Sequence, residues 1–249
     1  MKDNNYISGI GNSFYIGYNM GVQSAIEIIS RVSDAPFDID GVISISVNEH
    51  NNKILKMSYY NSDGSKAELC LNGIRCAAKF AYDNNYINTK VFGVSTPTGI
   101  IPTKINKDNI VSCSINAPFF PNGLIKHTIQ GYEGIIVDVG NPHFVIQHSD
   151  IYKLNLEKIG IEFQNSEIFD NGVNIEFCTV VNPATVNARV YERGVGETLA
   201  CGSGAVAIFY SLYSQDFLDK KIKIIYPGGV LNLKIDNKQI TISGEITYL

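Results

Sequence analysis

Two kinds of hydrophobic period alternate along the chain. Ile74, Ala77, Ala78 and Ala81 fall at i, i+3, i+4 and i+7, which predicts a helix with one apolar stripe just after Cys70. Residues 205–209 are apolar all round, which predicts a helix buried on every side just after Cys201. A β-rich run precedes each helix: Val42-Ile43-Ser44-Ile45-Ser46-Val47 in one case, Val186-Asn187-Ala188-Arg189-Val190-Tyr191 in the other. Further short strands are predicted at 135–139, 222–226, 231–235 and 239–242, with Gly, Pro and Asn/Asp turns between them.

The pattern also echoes itself. Gly11-Asn12-Ser13-Phe14 recurs as Gly140-Asn141-Pro142-His143-Phe144, and Asn12 leads Cys70 by 58 positions where Asn141 leads Cys201 by 60. Around the cysteines the offset is constant at 131, pairing Tyr60 with Tyr191, Cys70 with Cys201 and Gly73 with Gly204. Two marker types in the same order at nearly the same spacing imply duplication. The expected fold is α/β with two pseudosymmetric halves, each a curved, largely antiparallel sheet wrapped around one central helix. The segment 116–122, with Pro118 and Pro121, is the expected crossing, so the halves are 1–115 and 116–242.

Composition narrows the partners. A net charge of −4 and a pI near 5.6 leave no basic stripe to neutralise phosphates, so neither nucleic acid nor a membrane surface is expected. The first residues lack a signal-peptide pattern and no apolar run is long enough to span a bilayer. A cytoplasmic protein acting on a small molecule is the expectation, and a homodimer is compatible with the sequence. In that compartment disulfides are not expected. The five cysteines, Cys70, Cys76, Cys113, Cys178 and Cys201, form no CxxC pair and imply no metal site.

The echo singles out Cys70 and Cys201. Each stands immediately before a helix and is followed by small or polar residues, Leu71-Asn72-Gly73 and Gly202-Ser203-Gly204. A helix N-terminus offers unpaired N–H groups and the positive end of the macrodipole. It is expected to lower a thiol's pKa and to hold a carboxylate. Inverting a stereocentre beside a carboxylate needs a proton removed from one face and another delivered to the opposite face. A thiolate and a thiol do this in one pass, and donors aimed at the carboxylate stabilise the carbanion. Cys76, Cys113 and Cys178 read as packing. Arg193, one of only four arginines, suits bidentate carboxylate recognition, with Glu192 beside it to receive an ammonium; a surface ion pair explains that dipeptide equally well. Asn12, Asn61, Asn141 and Asn174 are candidate amide contacts, and His143 alone reads as structural.

These residues carry a resemblance to the diaminopimelate epimerase family. Its Gly-Asn-Asp-Phe start, its Asn-x-Asp-Gly run to Cys-Gly-Asn-Gly-x-Arg-Cys, its Gly-Asn-Pro-His element and its Glu-Arg-Gly-x-Gly-Glu-Thr-x-Ala-Cys-Gly-x-Gly are met here. They stand as GNSF at 11–14, NSDGSKAELCLNGIRC at 61–76, GNPHFV at 140–145 and YERGVGETLACGSGA at 191–205, with Pro227-Gly228-Gly229 following. The resemblance implies two α/β halves with the last strand, 243–249, returning to the first. It implies conversion of LL-diaminopimelate to the meso form, for lysine and cell-wall synthesis, without pyridoxal phosphate, metal or other cofactor. It further implies that Cys70 and Cys201 are the acid–base pair and that backbone N–H groups of Leu71, Asn72, Gly202 and Ser203 hold the reacting carboxylate. Asn61, Asn141, Asn174 and Arg193 would read the distal end, Glu192 would lie near an amine, and Asn12 and His143 would line the site. Three departures fall in the first half: Leu71 for a glycine, Ser13 for an aspartate, and Pro36-Phe37-Asp38-Ile39-Asp40-Gly41 for a glycine-rich stretch. A same-fold racemase of another amino acid, a cysteine hydrolase using Cys201 and His143, and a non-catalytic paralogue are the rival readings.

Overall fold

The computed structural model describes residues 4–32, 39–48, 51–61, 64–66, 69–166, 168, 169 and 172–249. The chain divides into two compact units, Met1–Ile115 with Ser243–Leu249, and Asn116–Ile242.

In the first unit, β1 (Tyr6–Gly9) turns into β2 (Asn12–Tyr18) through Ile10 and Gly11, whose φ values of 56° and 87° give the turn twist a two-residue hairpin needs. Helix α1 (Val22–Val32) carries the chain across, so that β3 (Gly41–Asn48) lies parallel to β2 with Phe14 opposite Gly41. Strand β4 (Asn51–Asn61) returns antiparallel. Helix α2 (Leu71–Asp83) is the next crossover, to β5 (Val91–Thr96), which is parallel to β4. Strands β6 (Gly99–Ile105) and β7 (Ile110–Asn116) follow antiparallel, and the short strand Thr247–Tyr248 pairs with β1.

The second unit repeats this plan. Strands β8 (Lys126–Ile129), β9 (Tyr132–Asp138) and β10 (Pro142–Gln147) form a meander. Helix α3 (Leu156–Gln164) crosses to β11 (Asn174–Asn182), parallel to β10 with His143 opposite Asn174. Strand β12 (Thr185–Glu192) is antiparallel to β11, and β13 (Gly196–Thr198) folds back on it. Helix α4 (Gly202–Tyr213) crosses to β14 (Lys221–Tyr226), parallel to β12, and β15 (Gly229–Asp236) and β16 (Gln239–Glu245) complete the order. The pairing Val42 opposite Tyr60 in the first unit has its counterpart in Ile175 opposite Tyr191 in the second.

Helix α2 packs against β1, β2, β3, β4 and β6, and α4 against β9, β10, β11 and β15, so each central helix is ringed by its own sheet. That ring explains two departures from the sequence pattern. Helix α2 is buried throughout residues 71–81, not along one stripe, and it takes Arg75 and Lys79 inside with it. Lys79 survives there by pairing with Asp83 at 2.5 Å. The sheets also contain parallel pairs, which cannot be closed by a tight turn and need a crossover. Helices α1 and α3, absent from the periodicity analysis, supply two of those crossovers. Ile159 and Phe163 of α3 then join Phe144, Phe177 and Tyr191 in the second unit's core. Among the described residues, no helix is long and apolar enough to cross a membrane.

Candidate active site

The two central helices begin in the same way. Cys70 caps α2 in extended backbone (φ −136°, ψ 98°), and its Sγ accepts the Gly73 N–H at 3.3 Å. Cys201 caps α4 (φ −127°, ψ 123°), and its Sγ accepts the Gly204 N–H at 3.4 Å. This is the N-cap geometry usually made by Ser or Asp oxygen, here made by sulfur. Neither helix carries an acidic residue in its first turn, whereas α3 carries Glu157. The N–H groups of Leu71 and Asn72, and of Gly202 and Ser203, belong to the first two helical residues, which have no intrahelical acceptor. Each helix start therefore offers donors and a positive dipole end to an anion. Leu71 adopts ordinary helical backbone and buries its side chain, so it keeps its N–H without strain.

Polar groups beside Cys70 form a directed chain. Arg75 Nη2 donates to Asn72 Oδ1. Asn72 Nδ2 donates to Asn12 Oδ1 at 2.6 Å, and Asn12 Nδ2 donates to Asp40 Oδ1 at 3.3 Å. Asp40 Oδ2 accepts the Ser13 N–H at 2.6 Å. Of the altered stretch 36–41, residues 36–38 lie outside the described residues, but Asp40 ties the rest to the Gly-Asn turn. Asn61 ends β4, where its Nδ2 donates to Ser65 Oγ at 2.9 Å.

Cys201 has a different setting. Its Sγ donates to Glu192 Oε2 at 3.2 Å and lies 3.4 Å from Ser203 Oγ, while Glu192 Oε1 accepts from Thr198 Oγ1 at 2.5 Å. Burial, then the charges of Glu192 and Glu176, push this thiol well above its ordinary 9.0, outweighing the Ser203 and Gly204 donors. This corrects the expectation that a helix N-terminus lowers a thiol's pKa: here desolvation wins, and Cys201 rests protonated. Burial also holds Glu192 above the usual carboxylate range. Glu192 directs its carboxylate to the thiol and to Thr198, while the chain leaves β12 after Glu192 and exposes Arg193 in the following turn.

His143 is fully buried, with Nδ1 2.7 Å from Glu176 Oε1 and Nε2 3.0 Å from Asn141 Oδ1. Asn174 donates to the Pro142 carbonyl at 3.2 Å and accepts the Arg193 N–H at 3.0 Å. Cys201 thus has Glu192, Ser203 and Gly204 as partners and His143 has Glu176 and Asn141, so no nucleophile–base contact of the hydrolase kind joins them. Cys76, Cys113 and Cys178 are buried thiols that burial pushes up, Cys113 and Cys178 to about 12, which makes them inert.

The diaminopimelate epimerase family model matches residues 8–116 and 135–248. The chain belongs to this family. It is 32% identical to the diaminopimelate epimerase of Brachyspira hyodysenteriae, over 96% of this chain and 94% of that one. It is equally 32% identical to the diaminopimelate epimerase of Methanococcus maripaludis strain C6, over 91% and 89%. The fold is shared more widely. A hydroxyproline epimerase from Agrobacterium vitis superposes with a TM-score of 0.73 at 11% identity, covering 99% of this chain and 90% of that one. A phenazine biosynthesis protein of the PhzF family from Bacillus anthracis gives 0.72 at 16% identity, over 99% and 96%. As a diaminopimelate epimerase family member, the chain is an amino-acid epimerase, an isomerase of a family whose general place is lysine biosynthesis.

Sequence reasoning missed Asp40, Arg75, Glu176 and Thr198, all of which bond to residues of the family motifs. Two carried a visible signal. Glu176 is the one charge in the run NIEFCTVV, and Arg75 is the one charge in GIRCAA. A charge inside an apolar run that proves buried needs a polar partner.

Proposed function

We propose that this chain converts LL-diaminopimelate to meso-diaminopimelate without a cofactor, with Cys70 and Cys201 as its acid–base pair. The observation that carries the reading is the shared cap geometry: two cysteines at equivalent helix starts, each with sulfur on the N–H of the third helical residue. One thiolate takes the α-proton, and the opposing thiol gives its proton to the other face of the same carbon, leaving a thiol and a thiolate with roles exchanged. The carbanion's charge spreads into the carboxylate, which the N–H groups of Leu71, Asn72, Gly202 and Ser203 stabilise. Cys201, held protonated beside Glu192, enters as the acid and Cys70 as the base. Turnover leaves Cys201 the thiolate and Cys70 the thiol, the pair that runs the opposite direction. To reset it, Glu192 relays a proton between the Cys201 sulfur and solvent, while Cys70 exchanges its own with solvent. Asn12 and His143 line the site, and Asn61, Asn141, Asn174 and Arg193 read the distal amino-acid end.

The test is incubation of LL-diaminopimelate in deuterium oxide, followed by NMR and chiral separation. The reading expects deuterium at the α-carbon and appearance of the meso isomer without added pyridoxal phosphate or metal. Exchange on another amino acid but not on diaminopimelate would contradict the substrate, and absence of exchange on any would contradict the chemistry.

A further inference from the structure

Arg75 lies in the middle of α2 with no exposed surface. One donor, Nη2, goes to Asn72 Oδ1, while Nε and Nη1 are buried without a hydrogen-bond partner. The groups that interact with it electrostatically are thiols, those of Cys113, Cys76 and Cys70. Of these, Cys76 and Cys113 are held neutral by burial. Among the described residues, the anion in hydrogen-bonded connection with the guanidinium is Asp40, reached through two amides. As a structural element this is a poor choice, because a buried cation with idle donors costs folding stability that an apolar side chain would not. The fold nevertheless reserves its space. A Cβ on Gly244 would lie 2.6 Å from Nη1.

A guanidinium donates and never accepts. Asn72 must therefore turn its carbonyl to Arg75 and its NH2 to Asn12. Asn12 must then present its carbonyl to Asn72 and its NH2 to Asp40, which accepts. A cation at one end and a carboxylate at the other fix both amide flips, leaving Asn12, the more exposed of the two, with a further N–H to offer.

We propose that Arg75 is a positioning residue for the first thiol: its fixed charge locks the Asn72–Asn12 amides as donors toward a bound carboxylate and supplies the positive potential that favours Cys70 as thiolate. The proposal rests on the reading of Cys70 as half of the acid–base pair. Arg75 touches no substrate and acts through Asn72 and through its charge.

Cys70 is the one partly exposed cysteine of the five, so iodoacetamide labelling mapped by mass spectrometry reports its ionisation selectively. The experiment compares wild type, Arg75→Met and Arg75→Lys for the pH midpoint of Cys70 labelling and for kcat and KM on diaminopimelate. Arg75→Met is expected to raise the labelling midpoint by about one pH unit and to lower kcat at least tenfold. Arg75→Lys, which keeps the charge and loses the fork, is expected to label like wild type with a smaller loss of kcat. Wild-type labelling in Arg75→Met overturns the proposal, as does equal loss of kcat in both variants with no shift in either. Should Arg75→Met not fold, Arg75→Lys decides alone: a labelling midpoint that rises despite the retained charge contradicts the electrostatic role. Full activity of Cys70→Ala would instead remove the reading on which the proposal rests, and it is measured separately.

Discussion

Cys201 Sγ donates a hydrogen bond to Glu192 Oε2 at 3.2 Å, which ties the second helix cap to the last residue of β12. The neighbouring Thr198 hydroxyl donates to the other carboxylate oxygen at 2.5 Å, so both oxygens of Glu192 are engaged. Because burial raises the pKa of Glu192, its proton uptake on acidification begins above the ordinary carboxylate value of 4.5. Once protonated, it can no longer take up the proton of Cys201. The kcat profile is therefore expected to fall on the acid side with a midpoint above 4.5. Glu192→Gln should abolish that limb and lower kcat at neutral pH by about 10²–10⁴-fold, the usual scale of a lost proton-transfer group. An unchanged acid limb in the glutamine variant would assign it to another group.

Leu71 is the departure from the family pattern closest to the chemistry. Its helical backbone and buried side chain mean that its N–H serves and its isobutyl group packs. Leu71→Gly should keep kcat/KM on LL-diaminopimelate within about tenfold, equivalent to roughly 1.4 kcal/mol, while denaturant unfolding shows a loss of about 2–5 kcal/mol from the emptied core position. A gain in kcat/KM above a hundredfold would mean that the leucine fills substrate space and that the natural substrate is a different amino acid.

The glycines in the first turn of each central helix differ in what stands over them. A Cβ on Gly73 would lie 3.1 Å from Ile43 Cδ1 and 3.3 Å from Cys70 Sγ, a tight but yielding fit. A Cβ on Gly204 would lie 2.7 Å from Glu176 Oε1, and Glu176 is fully buried against His143. That oxygen is the one bonded to His143, so the carboxylate retreats only by giving up this buried hydrogen bond. Gly204→Ala is therefore expected to lose far more activity than Gly73→Ala, by at least tenfold, and to melt lower. Steady-state kinetics and thermal unfolding of both variants check this, and equal losses would contradict it.

Much of the fold was legible because duplication prints itself twice. The 131-residue offset located both caps and both central helices, and the alternating runs before them located β3 and β12. What escaped was whatever depends on pairing partners. The parallel registers of Phe14 with Gly41 and His143 with Asn174 leave no local mark, so the crossovers α1 and α3 went unread. The burial of Arg75 went unread for the same reason, since a helix ringed by sheet hides even its polar face. The thiol acidity of Cys201 left no local mark either, because the cap is local, whereas the burial that raises its pKa most, and then the carboxylates Glu192 and Glu176 from β12 and β11, come from the packed tertiary structure.

The central claim is that two thiols share one inversion, and the most direct measurement is epimerisation of LL-diaminopimelate by single cysteine variants. Cys70→Ala and Cys201→Ala should each lose turnover to background, while Cys76→Ser, Cys113→Ser and Cys178→Ser, where they fold, should turn over at rates near wild type. Wild-type turnover in Cys70→Ala or in Cys201→Ala would contradict the two-thiol account.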